Sequence, residues 1–199
     1  MIKSVIFDWG GVLIDNPAPG LDAYCANALG VEIGVFKSTF KKGIGRFQIG
    51  AIHEKDLWEK VCSELGVQIP DTESLWGDAF RNSYVPKEEM FALASQLQQM
   101  GYKTGFLSNT ELPAMKFFHE QQYNMFDAAV FSCAEGTRKP EQKIYEIALE
   151  RLGVKAEESI FIDDRVDYIE GARLAGLNTI LFKSPGQAKE ALRSFLVKI

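Results

Sequence analysis

The sequence predicts an α/β fold, a parallel sheet with helices on both faces and a helical module inserted near its start. Three observations predict it. Val5, Ile6 and Phe7 form a short apolar run that stops at Asp8. Roughly seventy residues then follow with apolar side chains at helical spacing and no convincing strand. From about residue 87 onward, short apolar runs alternate with amphipathic helical patterns. Such an alternation implies right-handed crossovers and parallel strands.

Each element has its own signal. Ser4 to Phe7 reads as the first strand. In the next segment, LDAYCANALG, VFKSTF, HEKDLWEKVCSELG and ESLWGDAFRNSY carry Leu, Phe and Trp at helical spacing, with Gly and Pro between them. The module is expected over 16–85, inside a core made of 1–15 and 86–199, with joints near Asn16-Pro17 and Val85-Pro86. An insert at that point lies beside the ligand edge of the sheet and is placed to act as a lid. Beyond it, KEEMFALASQLQQMG is a helix stopped by Gly101. KTGFLSNT is a strand with a polar end, and LPAMKFFHEQQ is a helix with Pro113 in its first turn. DAAVFS is a strand, PEQKIYEIALERLG a helix, and ESIFIDD a strand with an acidic end. VDYIEGARLAG, NTILF and PGQAKEALRSFLVK complete the pattern as helix, strand and helix.

Composition narrows the function. Of 199 residues, 46% are hydrophobic and 25% charged, as in ordinary globular proteins. The net charge of −5 argues against nucleic acid as a partner. The small basic cluster of Lys37, Lys41, Lys42 and Arg46 reads as a solvated helix face. Cys25, Cys62 and Cys133 are odd in number and widely spaced, which suits free thiols in a reducing compartment. No apolar run is long enough for a membrane span, and the start of the chain has no signal-peptide pattern. The expectation is a cytoplasmic protein.

In an open parallel sheet, ligands bind beyond the carboxyl ends of the strands. The expected strand ends carry Asp8, then Ser108 and Asn109, then Asp163 and Asp164, with Arg138 and Lys139 before a helix. Singly, each has an ordinary explanation as a cap, a turn or a surface lysine. Jointly, three carboxylates at one edge repel one another and call for positive charge. Hard oxygen ligands beside an open site suit Mg²⁺, and Lys139 supplies a second cation. Ser108 and nearby backbone N–H groups can cradle an anion. A carboxylate, a metal, a lysine and a hydroxyl are the equipment for phosphoryl transfer through an aspartyl-phosphate.

At these residues the chain resembles the haloacid dehalogenase superfamily in its phosphatase form. FDWGGVLID, LSNT, RKPEQKIYE and FIDDRVDYIEGARLAG are similar to its four motifs, in order, and the helical insert is similar to its small cap. The nearest branch includes phosphatases resembling alpha-D-glucose-1-phosphate phosphatase. The resemblance implies a Rossmann-like core and a Mg²⁺-dependent phosphatase acting on a small phosphorylated metabolite, a sugar phosphate among the candidates. It implies Asp8 as nucleophile, and Mg²⁺ held by Asp8, the Gly10 carbonyl and Asp164, with Asp163 as a ligand or as support behind the ligands. Ser108 would bind the phosphoryl oxygens with Asn109 supporting through its backbone, and Lys139 would neutralise the charge shared by Asp8 and the phosphate.

One position departs from the family pattern. Most of its phosphatases carry a second aspartate where this chain has Gly10, and that carboxyl serves as general acid and base. Asp15 is a poor substitute, because a polar residue there follows the turn. Two rival functions follow. One is a metal-independent 2-haloacid dehalogenase, which also lacks the second aspartate. The other is a catalytically retired domain that binds a phosphorylated ligand or a protein. Specificity is expected in the insert, with Arg46, Gln48, His53 and Trp9 near the entrance as candidates.

Overall fold

A computed structural model describes all 199 residues. Five strands form one sheet: β1 Ser4–Phe7, β2 Lys103–Ser108, β3 Ala128–Phe131, β4 Ser159–Asp163 and β5 Asn178–Leu181. Their order is β3-β2-β1-β4-β5 and every neighbouring pair is parallel. β1 is central and wholly buried, which is why it is a continuous apolar run and not an alternating one.

Ten helices complete the chain. Four lie between β1 and β2 at the start: α1 Ala18–Leu29, α2 Ile33–Gln48, α3 Glu54–Leu65 and α4 Leu75–Ser83. The others are α5 Glu88–Gln99, α6 Leu112–Glu120, α7 Ser132–Glu135, α8 Gln142–Leu152, α9 Val166–Leu174 and α10 Pro185–Ser194. The two joints of the helical insert lie side by side. The Asp15 N–H donates to the Val85 carbonyl at 2.9 Å, and the Lys87 N–H donates to the Leu13 carbonyl at 2.8 Å.

The fold agrees with the sequence pattern, with two differences. The six-residue helical expectation over VFKSTF becomes sixteen residues, because α2 runs through Gly43 and Gly45. Glycine disfavours helix, but a Cβ at Gly43 would stand 2.5 Å from Leu57 Cδ1. The close packing of α2 on α3 therefore favours a small residue that propensity argues against. The sequence also gave no sign of α7 or of the single 3₁₀ turn Ala156–Glu158.

One hydrophobic cluster of 38 residues runs without a break from the insert into the sheet. Phe36, Phe40, Trp58 and Trp76 stack on one another within the insert. Trp9, just past β1, packs on Phe80 of α4 and on Phe106 of β2. A second cluster of 12 residues fills the opposite face of the sheet, under α8 and α9.

Candidate active site

The site forms where β1 and β4 end. Phe7 pairs in register with Ile162, so Asp8 and Asp163 leave the sheet together. The Asp8 N–H donates to the Ile162 carbonyl at 3.0 Å, which anchors the residue as the strand ends. Lys139 arrives on the loop before α8. Its Nζ donates to Asp8 Oδ1 at 2.6 Å and to Asp163 Oδ2 at 2.7 Å. All three side chains are buried, Lys139 to 1% exposure. Lys139 also lies over the rings of Tyr168 and Phe161, at 4.8 and 5.3 Å from their centroids.

Asn109 sets the position of Lys139. Its Oδ1 accepts from the Lys139 N–H at 2.8 Å, and its Nδ2 donates to the Lys139 carbonyl and to the Tyr168 hydroxyl, both at 3.0 Å. Ser108 accepts a hydrogen bond from the Thr110 hydroxyl at 2.5 Å. The Thr110 N–H donates to Ser132 Oγ at 2.8 Å, so the loop after β2 is tied to the start of α7.

Asp8, Asp163 and Asp164 each offer an oxygen, and these atoms lie within 4.8 Å of one another. Burial raises Asp8 to about 7, with Asp163 adding to the effect and Lys139 opposing it. Burial also pulls the Lys139 ammonium down, but Asp163 and Asp8 outweigh it and leave the group above its ordinary value. Asp164 is raised by its burial and by Asp163. Three carboxylates face one lysine, so the cluster is short of positive charge. An all-oxygen donor set with that deficit fits a hard divalent cation. Asp163 already accepts on both oxygens, from Lys139 and from the Arg165 N–H at 2.9 Å. Asp8 and Asp164 are the freer ligands, and Asp163 supports them.

Of the two glycines, Gly11 is the one whose conformation requires glycine. Its φ is +92°, and a Cβ there would collide with the Asp164 carboxyl. Gly10 has no such backbone need, but a Cβ there would stand 3.1 Å from Pro17 Cδ. A second aspartate is absent, and a side chain at this position would press on Pro17. Asp15 offers no replacement. It pairs with Lys87 at 2.7 Å, is mostly exposed, and does not line the cavity.

A cavity of about 540 Å³ opens above these groups. Asp8, Gly10, Ser108, Asn109 and Lys139 form its floor. Of the specificity candidates, Trp9 and Gln48 line it, whereas Arg46 and His53 do not. Arg46 is exposed on α2, five residues after Lys41, which is about 140° around the helix. Lys37, Lys41, Ile44 and Gln48 share the cavity face at helical spacing, a stripe visible only once α2 is known to continue past Gly43.

Sequence reasoning also passed over Glu111. This buried carboxyl lines the cavity and accepts from Trp76 Nε1 at 3.0 Å, a bond between the insert and the core. Burial raises it above the ordinary glutamate value, opposed by the bonds from Trp76 and Gln48. Its position three residues past Ser108 was a signal, but nothing in the sequence marked Trp76 as its partner.

Comparison with known proteins agrees with this geometry. The family model of haloacid dehalogenase-like hydrolases matches residues 2–176. The sesquiterpene phosphatase of Aspergillus oryzae is 29% identical, over 88% of this chain and 87% of its own length. Acyl-CoA dehydrogenase family member 10 of Mus musculus is 30% identical over 98% of this chain, which spans only 19% of that protein. Among solved structures, a predicted HAD-like hydrolase of Porphyromonas gingivalis superposes with a TM-score of 0.81, at 21% identity over the whole of both chains. A HAD-family enzyme of Bacteroides thetaiotaomicron, solved with magnesium and inorganic phosphate, gives 0.72 at 22% identity, over 92% of this chain and 95% of its own. With the family model spanning four of the five strands and every residue of the Asp8, Lys139, Asp163 and Asp164 cluster, this chain belongs to the haloacid dehalogenase-like hydrolases.

Proposed function

We propose that the protein is a Mg²⁺-dependent phosphatase that hydrolyses a small phosphorylated metabolite through an aspartyl-phosphate. The observation that carries this reading is the buried Asp8–Lys139–Asp163 triad beside the exposed Asp164 carboxyl, at the floor of a cavity. The phosphatase relative of nearly equal length supports it. At 29% identity the leaving group does not transfer with that name.

Asp8 attacks phosphorus through its free Oδ2, while Oδ1 stays on Lys139. The P–O bond to the leaving group breaks, and the departing oxygen takes the bonding pair and then a proton from water. Water next attacks the phosphoryl group on Asp8, releasing inorganic phosphate and restoring the carboxylate. Lys139 holds Asp8 ionised and oriented, and Ser108 with the backbone N–H groups after β2 receives the phosphoryl oxygens. When bound at Asp8, Asp164 and the Gly10 carbonyl, Mg²⁺ supplies charge that neutralises the phosphoryl oxygens. The four helices of 16–85 serve as the cap that roofs the site.

A metal-free dehalogenase fits less well, because its anionic substrate would meet three carboxylates and a single lysine. The test is phosphate release from p-nitrophenyl phosphate and a panel of phosphate monoesters, with Mg²⁺ or with EDTA. Release that requires Mg²⁺ is expected. Release of halide from a 2-chloro acid, with no phosphate release, would replace this reading by the dehalogenase.

A further inference from the structure

We infer that the substrate's leaving group is apolar, an alkyl, alkenyl or aryl alcohol and not a polyhydroxylated sugar. This rests on the phosphatase reading and assigns its substrate class. Above the charged floor, the cavity wall is made by Ile14, Leu21, Phe40, Ile44, Trp76 and Phe80. All but Ile44 are also part of the buried core cluster, so the wall is rigid and continuous with the interior. At about 540 Å³ the cavity has far more room than a phosphoryl group fills.

Several polar groups along the cavity already have partners. Gln48 accepts from Arg138 at 3.0 Å, and Glu111 accepts from Trp76 at 3.0 Å. Thr110 bonds Ser108 and Ser132, and Asp22 pairs with Lys37 at 3.2 Å. Sugar hydroxyls placed against this wall would give up water without finding partners, which is unfavourable for each one. A hydrocarbon gives up nothing and gains burial. Lys41 also lines the cavity and is exposed to solvent. On this inference hydrocarbon esters are favoured over the sugar phosphate among the sequence-based expectations.

The test is a series of n-alkyl phosphates from ethyl to octyl, which hold leaving-group basicity nearly constant, beside glucose 6-phosphate and glycerol phosphate. Phosphate release with Mg²⁺ is measured on the wild-type protein, on Ile44→Gln and on Arg46→Ala. The expected result is a rise in kcat/KM of about fourfold per buried methylene until the cavity is full. Ile44→Gln should flatten that slope, whereas Arg46→Ala, outside the cavity, should keep it. A flat series, or sugar phosphates preferred over hexyl phosphate, would overturn the inference while leaving the phosphatase reading intact. If no monoester is cleaved, the phosphatase reading fails. Calorimetric titration of the same esters then decides the wall by itself, with affinity rising with chain length if it takes hydrocarbon and flat if it does not.

Discussion

The floor and the roof of one cavity are built on opposite principles. The floor rests on three buried charges, Asp8, Lys139 and Asp163, joined by two hydrogen bonds, with the two aspartates set by register between adjacent strands. The roof is aromatic stacking, in which Phe40 lies 4.8 Å from Trp76 and Trp9 lies 4.8 Å from Phe80, centroid to centroid. Charges removed from water must be paired in full, so each floor residue depends on a particular partner. Aromatic packing adds area and tolerates exchange better. The floor is thus suited to keep one reaction, and the roof to vary with the molecule being cleaved.

The comparison can be broken at the floor first. Asp8→Asn should reduce turnover by a factor on the order of 10⁴ or more while far-UV circular dichroism stays unchanged. Hydrolysis retained by pure Asp8→Asn protein would end the covalent mechanism. Lys139→Met strands two buried carboxylates, and urea denaturation should show a loss of about 3–5 kcal/mol. A stability equal to wild type would show that water or a cation had taken over the pairing.

The bond between roof and floor sharpens the contrast. Glu111 is raised by burial, so the folded state holds its proton more tightly than the unfolded chain does. Its contribution to stability is full below the ordinary glutamate value and is lost as pH rises through the raised one. Glu111→Gln keeps an acceptor for the Trp76 N–H and removes the buried charge. The variant should therefore gain on wild type in melting temperature as pH goes from 4 to 8. A difference that does not change with pH would mean that Glu111 is ionised without cost. The smallest effect is expected at Arg46, outside the cavity. Arg46→Ala should change stability by less than about 0.5 kcal/mol, and kcat/KM should stay within twofold of wild type.

The floor was legible in the sequence because its residues sit where apolar runs end, and a parallel sheet brings those ends together. Asp8, Ser108 and Asp163 needed only the order of the strands to be placed. The roof was not legible to the same degree. Its inner face depends on the rotation of α2, and Gly43 and Gly45 hid the length of that helix. Position in the insert pointed to Arg46 and Gln48 alike, whereas the helical period keeps Gln48 and adds Lys41 and Ile44. The Trp76–Glu111 bond joins residues 35 apart in sequence, with no pattern to announce it. Asn109 was expected to help through its backbone, yet its side chain is what holds Lys139 in place.

The unbroken apolar cluster has a consequence for how the molecule melts. The helical insert and the sheet each contribute to one cluster of 38 buried residues, so neither part can detach without exposing the other's interior. Heating should therefore give a single calorimetric transition, with equal van't Hoff and calorimetric enthalpies. A ligand held by the roof alone would then raise the melting temperature of the whole chain, the distant strand β5 included, because cooperativity carries its binding energy across the core.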